Sequence, residues 1–263
     1  FTAVVNDANA DAANRDPGPA EFWMAPDASI RAPGGISIQS GALALVSDGV
    51  GGTTNVGVAA NSGDFTLGNL YTSHLSLAAA KSIFQNGVLS VTNATGLSAG
   101  QDIVLTNVAN DFGGLVNVSD AQGVTLADAN SLLLSGRSST LNATAAGGDL
   151  TFAGYTTTAM GANSLVAQAA GNITQTGPLE VAGDSSFTAG PGADVLLGSF
   201  PNVLAGAVKV GPSAGSLANV ALRNVATNAP SPLGLDQVTN SLSVVYDNSS
   251  LQLPARNLSG ALT

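Results

Sequence analysis

The chain has 263 residues and no cysteine; 44% of it is hydrophobic, 9% is charged and 32 residues are glycine. It is too apolar for a disordered chain and too poor in charge for a typical cytosolic enzyme, and without cysteine it has neither disulfides nor thiolate metal sites. The net charge of −10 argues against nucleic acid as a partner, and no apolar run reaches the roughly 20 residues needed for membrane insertion.

Residues 1–27 do not follow the pattern of the rest and are predicted to form a non-repeat N-terminal arm or cap. The stretch opens with "FTAVV", a strand-like segment through Phe1, Val4 and Val5, and its aromatic pair is Phe22 and Trp23. In one interpretation the aromatic residues cover the first sheet edge of the next domain, because an open edge invites association. In the other, "FTAVV" adds a strand to a neighbouring copy and builds a head-to-tail fibre.

Residues 28–263 repeat one short phrase, seen in "DFTLG", "DIVLT", "NITQTG" and "DVLLG". Each phrase alternates apolar and polar residues over four or five positions between Gly, Asn, Asp or Ser, which indicates a short strand. The spacing between phrases varies from 18 to 26 residues, with a mean of about 22. The first apolar residues of nine phrases are Phe65, Ile83, Ile103, Val124, Leu150, Ile173, Val195, Val220 and Leu242.

This spacing predicts an all-β fold, a parallel β-helix (β-solenoid) of about 9–10 coils with roughly 22 residues per coil. One coil cannot bury its own apolar side chains, but coils stacked about 4.8 Å apart cover each other and share backbone hydrogen bonds. A β-sandwich or a propeller would need stronger hairpin signals and more aromatic residues than the 5% present.

A second regularity precedes the strands, where Asp or Asn stands at a predicted corner. The six members of this corner column are Asp64, Asp102, Asp149, Asn172, Asp194 and Asn219. Asp and Asn side chains bond neighbouring backbone N–H groups and suit tight corners, so we interpret the column as structural. A line of calcium sites is the alternative, but single carboxylates one coil apart make a poor cage and the Gly-rich nonapeptide of calcium β-rolls is missing.

Three stretches resemble a known family: "NDFGGLVNVSDAQGVTLADANSLLLSG" (110–136), "GNITQTGPLEVAGDSSFTAG" (171–190) and "ADVLLGSFPNVLAGAVKV" (193–210). They are similar to the repeats of filamentous-haemagglutinin-like exoproteins, the adhesins of two-partner secretion systems. The resemblance covers residues 28–263. It implies a right-handed β-helix that is extracellular or on the bacterial cell surface. The family's secretion domain with its Asn-Pro-Asn motifs is not visible, so we expect an interior or distal segment of a longer protein.

No catalytic, cofactor or metal site is predicted, and we expect the protein not to be an enzyme. The single histidine, His74, has no acidic residue within nine positions. The closest set of carboxylates with a cation is Asp111, Asp120 and Asp128 with Arg137. A β-helical polysaccharide lyase or hydrolase, which would need such a cluster, remains an alternative.

The favoured function is that of an extracellular structural or adhesive shaft. Its expected partners are other copies of itself, or glycans and proteins of a host or a surface. A self-polymerising matrix fibre subunit, joined through the N-terminal arm, is the second alternative.

Overall fold

The structure, a computed structural model, describes residues 20–24, 43–47, 55–60, 64–253 and 258–263. The described residues are almost entirely β-strand, with one turn of 3₁₀ helix at Leu235–Gln237. Among them, no helix is long and apolar enough to cross a membrane. The strands in chain order are β1 (Ala20–Met24), β2 (Leu43–Ser47), β3 (Asn55–Ala60), β4 (Phe65–Leu67), β5 (Leu70–Thr72), β6 (His74–Ala79), β7 (Ile83–Gln85), β8 (Leu89–Val91), β9 (Thr95–Ala99), β10 (Ile103–Leu105), β11 (Asp111–Phe112), β12 (Leu115–Asp120), β13 (Gly123–Asp128), β14 (Leu132–Ser138), β15 (Thr140–Ala145), β16 (Leu150–Thr157), β17 (Leu165–Ala169), β18 (Ile173–Val181), β19 (Ser185–Ala189), β20 (Val195–Leu204), β21 (Val208–Pro212), β22 (Leu217–Asn224) and β23 (Val238–Tyr246).

The strands stack into three parallel sheets. Sheet A has the order β1-β2-β4-β7-β10-β13-β15-β17-β19-β21, sheet B has the order β23-β22-β20-β18-β16-β14-β12-β9-β6-β3, and sheet C has the order β11-β8-β5. Successive strands of a sheet come from successive coils, about 21 residues apart along the chain, in about nine coils. The prediction of an all-β solenoid with this coil length is confirmed.

The alternating pattern of the sequence produces the core. In β18, for example, every second residue from Ile173 to Val181 is buried and the residues between them are partly or fully exposed. Inward side chains of neighbouring coils pair directly, as Ile83 does with Ile103 and Ile103 with Val124. The result is one continuous apolar column between the sheets, so each coil relies on its neighbours for burial.

The cross-section changes along the stack. The coils between residues 64 and 120 contribute one strand each to sheets A, C and B, whereas sheet C ends at β11. From β13 onward a coil alternates between sheets A and B alone, and the strands of sheet B lengthen to nine residues in β18 and ten in β20. Register shifts between β16, β18 and β20 mark where these long strands bend.

The nine phrase positions do not form a single column. The first four, from Phe65 to Val124, lie in sheet A, and the last five, from Leu150 to Leu242, lie in sheet B. Val124 pairs with Leu141, only 17 residues further on. Over the 26 residues from Val124 to Leu150, the chain therefore completes one short coil and continues into sheet B.

Candidate functional site: the corners and the outer faces

Four of the six predicted corner residues form a hydrogen-bonded ladder along sheet B. Asp149 Oδ1 accepts the Asn172 backbone N–H (2.6 Å), and Asn172 Oδ1 accepts that of Asp194 (2.9 Å). Asp194 Oδ1 in turn accepts both the backbone N–H and the side-chain amide of Asn219 (3.0 and 2.9 Å). Each corner side chain thus holds the corner of the next coil, which satisfies a backbone donor that the turn leaves free.

The other two corner residues lie on sheet A. Asp64 Oδ1 accepts the Ser82 backbone N–H (3.1 Å) and Asp102 Oδ1 accepts that of Gly123 (2.9 Å). Asp184, absent from the predicted column, does the same for Ala207 (2.8 Å). Among the described residues, no group of three or more His, Asp or Glu side chains is arranged to hold a metal ion.

A pair of carboxamides, of which Asn110 is buried and Gln85 is partly exposed, holds the corner between β7 and β8. Asn110 is completely buried, and its side chain exchanges two hydrogen bonds with Gln85: Gln85 Nε2 donates to Asn110 Oδ1 and Asn110 Nδ2 donates to Gln85 Oε1, both at 2.9 Å. Asn110 Oδ1 also accepts the Leu89 N–H, and its Nδ2 group donates to the carbonyls of Leu105 and Ala127. The pair therefore ties three successive coils together.

The same arrangement recurs about ninety residues later in the chain. Asn202 is also completely buried and exchanges two hydrogen bonds with Gln175, at 2.9 and 3.0 Å. Its Oδ1 accepts the Leu179 N–H, and its Nδ2 group donates to the carbonyls of Leu197 and Arg223. We call residues 83–130 the first cassette and residues 173–226 the second; their opening segments, "IFQNGVLSV" and "ITQTGPLEV", share Ile, Gln, Gly, Leu and Val at the same spacing.

A further buried corner residue completes each cassette: Asp128 in the first and Asn224 in the second. The two side chains differ in their capacity to carry a charge. Asp128 is fully buried; its Oδ2 accepts the Phe112 N–H and its Oδ1 the Asn130 N–H, both at 2.7 Å. Asn224 holds the equivalent place, and its Oδ1 accepts the N–H groups of Leu204 and Ala226, both at 3.0 Å. Burial is the main cause that raises the pKa of the Asp128 carboxyl, the two backbone hydrogen bonds oppose it, and the negative charge of Asp111 adds to it.

The residues considered for catalysis, which are Asp111, Asp120, Asp128, Arg137 and His74, have different structural surroundings. Asp128 and Asp111 interact electrostatically, but Asp128 is inaccessible and both its oxygens accept backbone N–H groups. Asp120 ends β12, and Arg137 lies within β14. His74 is exposed, with its Nδ1 3.3 Å from the Ser73 hydroxyl. This arrangement leaves the buried carboxylate of the set without access to a substrate.

The outer faces of both sheets carry columns of mostly uncharged side chains. On sheet A the outward column consists of Thr66, Phe84, Val104, Thr125, Asn142, Val166, Ser186 and Lys209. On sheet B a matching column consists of Leu133, Thr151, Thr174, Leu196, Ala221 and Ser243. The hydroxyls of Thr151 and Thr174 are 2.8 Å apart. Lys209 is the one charged residue of these two columns, whereas Arg137, Glu180 and Arg223 lie at other positions of sheet B.

Of the five N-terminal candidates for capping or assembly, two lie within the described residues. Phe1, Val4 and Val5 lie outside the described residues. Phe22 and Trp23 lie in β1, which is the terminal strand of sheet A and pairs in parallel with β2. The backbone of these two residues therefore belongs to the solenoid sheet.

Comparison with known proteins identifies a repeat but no activity. Residues 51–119 and 156–211, just under half of the chain, match a family described as repeats of unknown function (DUF5649). The first matched stretch contains Gln85 and Asn110, and the second contains Gln175 and Asn202, so each includes one hydrogen-bonded carboxamide pair. No curated protein and no solved structure matches the chain.

Proposed function

We propose that the chain is a non-enzymatic shaft segment of a secreted bacterial surface protein, of the filamentous-haemagglutinin-like kind, and that it serves adhesion through its outer faces. The observation that supports this proposal most strongly is the pair of continuous ten-stranded parallel sheets. Strands spaced about 4.8 Å apart give a rod of roughly 45 Å. Such a rod supplies length and stiffness, which a surface shaft needs.

The mechanical role follows from how the coils are joined. Backbone hydrogen bonds run along the stack, and the corner ladder and the carboxamide pairs add side-chain bonds in the same direction. A pull along the axis must break many of these bonds together in each coil. Many of the polar side chains form hydrogen bonds between neighbouring coils, and the buried ones among them are not available to ligands.

The adhesive role rests on the character of the outer faces. Thr, Ser and Asn side chains in regular columns offer hydroxyl and amide groups, and the adjacent Val and Leu side chains offer apolar contact. The two columns contain one charged residue, Lys209, so they offer little attraction to nucleic acid or to an anionic lipid surface. Neutral glycans and protein surfaces fit this chemistry, since they are recognised by hydrogen bonds and apolar contact.

Localisation is the first experiment. Antibodies raised against the purified chain should label intact, unpermeabilised cells that make the protein, and immunogold electron microscopy should place the label on projections or released fibres. Label that appears only after permeabilisation would contradict the proposal.

Adhesion is tested separately with the outer face of sheet B. The double variant Thr151→Lys, Thr174→Lys places two charges on adjacent coils and should weaken binding to immobilised neutral glycans or to intact cells. The matched control, Asp149→Asn, changes a corner residue and should leave binding unchanged. Equal binding by wild type and the double variant would argue against this face as the contact surface.

A self-polymerising fibre is the second candidate, favoured by one observation. Because β1 is the terminal strand of sheet A, one of its edges has no paired strand among the described residues. Deletion of residues 1–14 should abolish any filaments that the purified chain forms, as seen by electron microscopy. Filaments that persist after the deletion would refute assembly through the arm.

A further inference from the structure

The corner between β7 and β8 contains the single Asn-Gly pair of the sequence, Asn86–Gly87. Both residues lie in a bend, and the Asn86 side chain is exposed and forms no hydrogen bond with another described residue. The second cassette has Thr176–Gly177 at the same place, in "ITQTGPLEV". The two corners therefore share the glycine, and only the first has a carboxamide directly before it.

The backbone nitrogen of Gly87 differs from those of its two neighbours. The Asn86 N–H donates to the Leu67 carbonyl (2.8 Å). The Val88 N–H donates to Asn69 Oδ1 (2.7 Å). The Gly87 N–H between them has no acceptor among the described residues. No hydrogen bond therefore has to break before this nitrogen can react.

Glycine is required at position 87 because the corner packs closely on the previous coil. A Cβ at Gly87 would overlap the backbone nitrogen of Asn69. The absence of a side chain also leaves the Gly87 nitrogen open to attack the group beside it. The corner thus combines an exposed carboxamide with a backbone nitrogen that is neither hydrogen-bonded nor shielded by a side chain of its own.

We propose that Asn86 is a self-modification site, at which the chain deamidates without an enzyme and forms isoaspartate. The Gly87 nitrogen loses its proton to a base from solvent and attacks Asn86 Cγ. The N–Cγ bond forms, the Cγ–Nδ2 bond breaks, and ammonia leaves. Water then opens the resulting cyclic imide at either of its carbonyls, which gives aspartate or isoaspartate at position 86. The reaction consumes water and releases ammonia, and nothing is oxidised or reduced.

Isoaspartate lengthens the backbone of the corner by a methylene group, because the chain then runs through the former side chain. Hydrogen bonds to the previous coil hold the corner on both sides, so the added atom displaces the segment between them. This segment carries the Gly87 carbonyl, which accepts Gln85 Nε2 (2.7 Å) and Asn107 Nδ2 (3.1 Å). We therefore expect isoaspartate to loosen the Gln85–Asn110 pair. Aspartate keeps the backbone length and leaves the pair in place.

Peptide mapping of the purified, folded chain tests the reaction. The protein is incubated in mildly alkaline buffer, digested with trypsin and analysed by mass spectrometry with electron-transfer fragmentation, which distinguishes isoaspartate from aspartate. Cleavage after Lys81 and Arg137 gives one peptide that contains Asn86 and also Asn130, an exposed asparagine followed by Ser131. Relative to a sample digested at the start, Asn86 should be converted faster than Asn130, and isoaspartate should accumulate. Equal conversion of the two residues, or none at Asn86, would overturn the proposal.

Urea unfolding and hydrogen exchange test the consequence for the corner. Incubated wild type should have a lower urea midpoint than fresh wild type, and the Leu89 amide, which donates to Asn110 Oδ1, should exchange faster. Asn86→Thr introduces the residue type of the second cassette and should keep both values through the same incubation. Freshly prepared Asn86→Asp adds a charge without lengthening the backbone and should match fresh wild type.

Two outcomes would contradict the loosening of the corner. One is incubated wild type that contains isoaspartate and yet unfolds at the same urea concentration as fresh protein. The other is an equal decline of the midpoint in Asn86→Thr, which would place the damage elsewhere in the chain.

Discussion

The two cassettes form the same hydrogen-bonded corner in two different sheets. In the first pair Gln85 is the last residue of β7 in sheet A, whereas Gln175 and Asn202 lie within the long strands of sheet B. The bonds between glutamine and asparagine match in the two pairs, and at the first corner Gln85 Oε1 also accepts the Asn107 backbone N–H. The first corner separates two short strands, whereas the second bends a continuous one. The corner is therefore fixed by its own side chains, and the sheet on which it lies is set by the lengths of the intervening coils.

The largest effect should come from removing a carboxamide. In Asn202→Ala, the Gln175 side chain, the Leu179 N–H and the Leu197 and Arg223 carbonyls lose a buried partner. We expect the free energy of unfolding, measured by urea denaturation, to fall by roughly 3 to 5 kcal/mol, because each unpaired buried polar group costs about 1 to 3 kcal/mol.

Asn110→Ala should cost a similar amount, since its bonds are equivalent. The exposed Asn142→Ala serves as the control and should change stability by less than about 0.5 kcal/mol. A small loss in both buried variants would show that the cassettes are not held by their carboxamides.

The short coil between the cassettes depends on Gly136. This residue has a φ of 128°, and a Cβ there would overlap the Val118 carbonyl of the coil below. Gly136→Ala should therefore destabilise the chain by roughly 2 to 3 kcal/mol in the same assay. At Gly96 the nearest atom to an added Cβ is 3.9 Å away, so Gly96→Ala is the matched control and should be tolerated. Equal effects of the two substitutions would contradict the backbone placement at the short coil.

Replacing Asn224 by Asp gives the second cassette the residue type that the first has at position 128. Asn224→Asp loses the donor to the Leu204 carbonyl and introduces a carboxylate at a buried position. We expect a loss of about 2 kcal/mol at neutral pH. The loss should diminish in acid, because protonation of the new carboxyl removes a buried negative charge and restores a donor for the Leu204 carbonyl. A loss that is independent of pH would argue that shape, and not charge, distinguishes the two corners.

The smallest expected effect is a gain. Thr95 Oγ1 and Ser185 Oγ are buried without a hydrogen-bond partner, and they occupy matching places in "TGLSAG" and "SSFTAG" of the two cassettes. Thr95→Val and Ser185→Ala remove these hydroxyls and should each raise stability by about 1 kcal/mol. Thr174→Val, which instead breaks the Thr151–Thr174 pair, should give no gain. Destabilisation by both buried substitutions would show that the hydroxyls are satisfied.

The sequence predicts the fold class well because stacking repeats one constraint many times. Alternation around Ile173 or Val195 is enough to identify inward positions, and Asp or Asn before a strand is enough to identify a corner. Sheet assignment is harder, because Val124 and Leu150 occupy like positions of a phrase and yet lie in different sheets. Coil length determines in which sheet a phrase lies. In the sequence, the change of sheet is indicated by the 26-residue spacing between Val124 and Leu150.

The buried polar corners were missed for a different reason. Asn110, Asp128 and Asn202 are residue types common in solvated turns, and only the tertiary stack shows that they are buried. The shared spacing of "IFQNGVLSV" and "ITQTGPLEV" was the available signal, since a glutamine repeated at the same place between apolar residues indicates a specific partner.

The central claim is that the chain is a parallel stack of coils in which the repeated phrase changes from sheet A to sheet B. Cross-linking tests this claim most directly. The protein has no cysteine, so engineered pairs report without background. Thr125 faces Asn142 in the next coil, and neighbouring strands bring Cα atoms within disulfide reach. We predict that Thr125→Cys with Asn142→Cys forms a disulfide under mild oxidation, and that Thr125→Cys with Thr151→Cys does not. Efficient cross-linking of positions 125 and 151, with none between 125 and 142, would contradict the account.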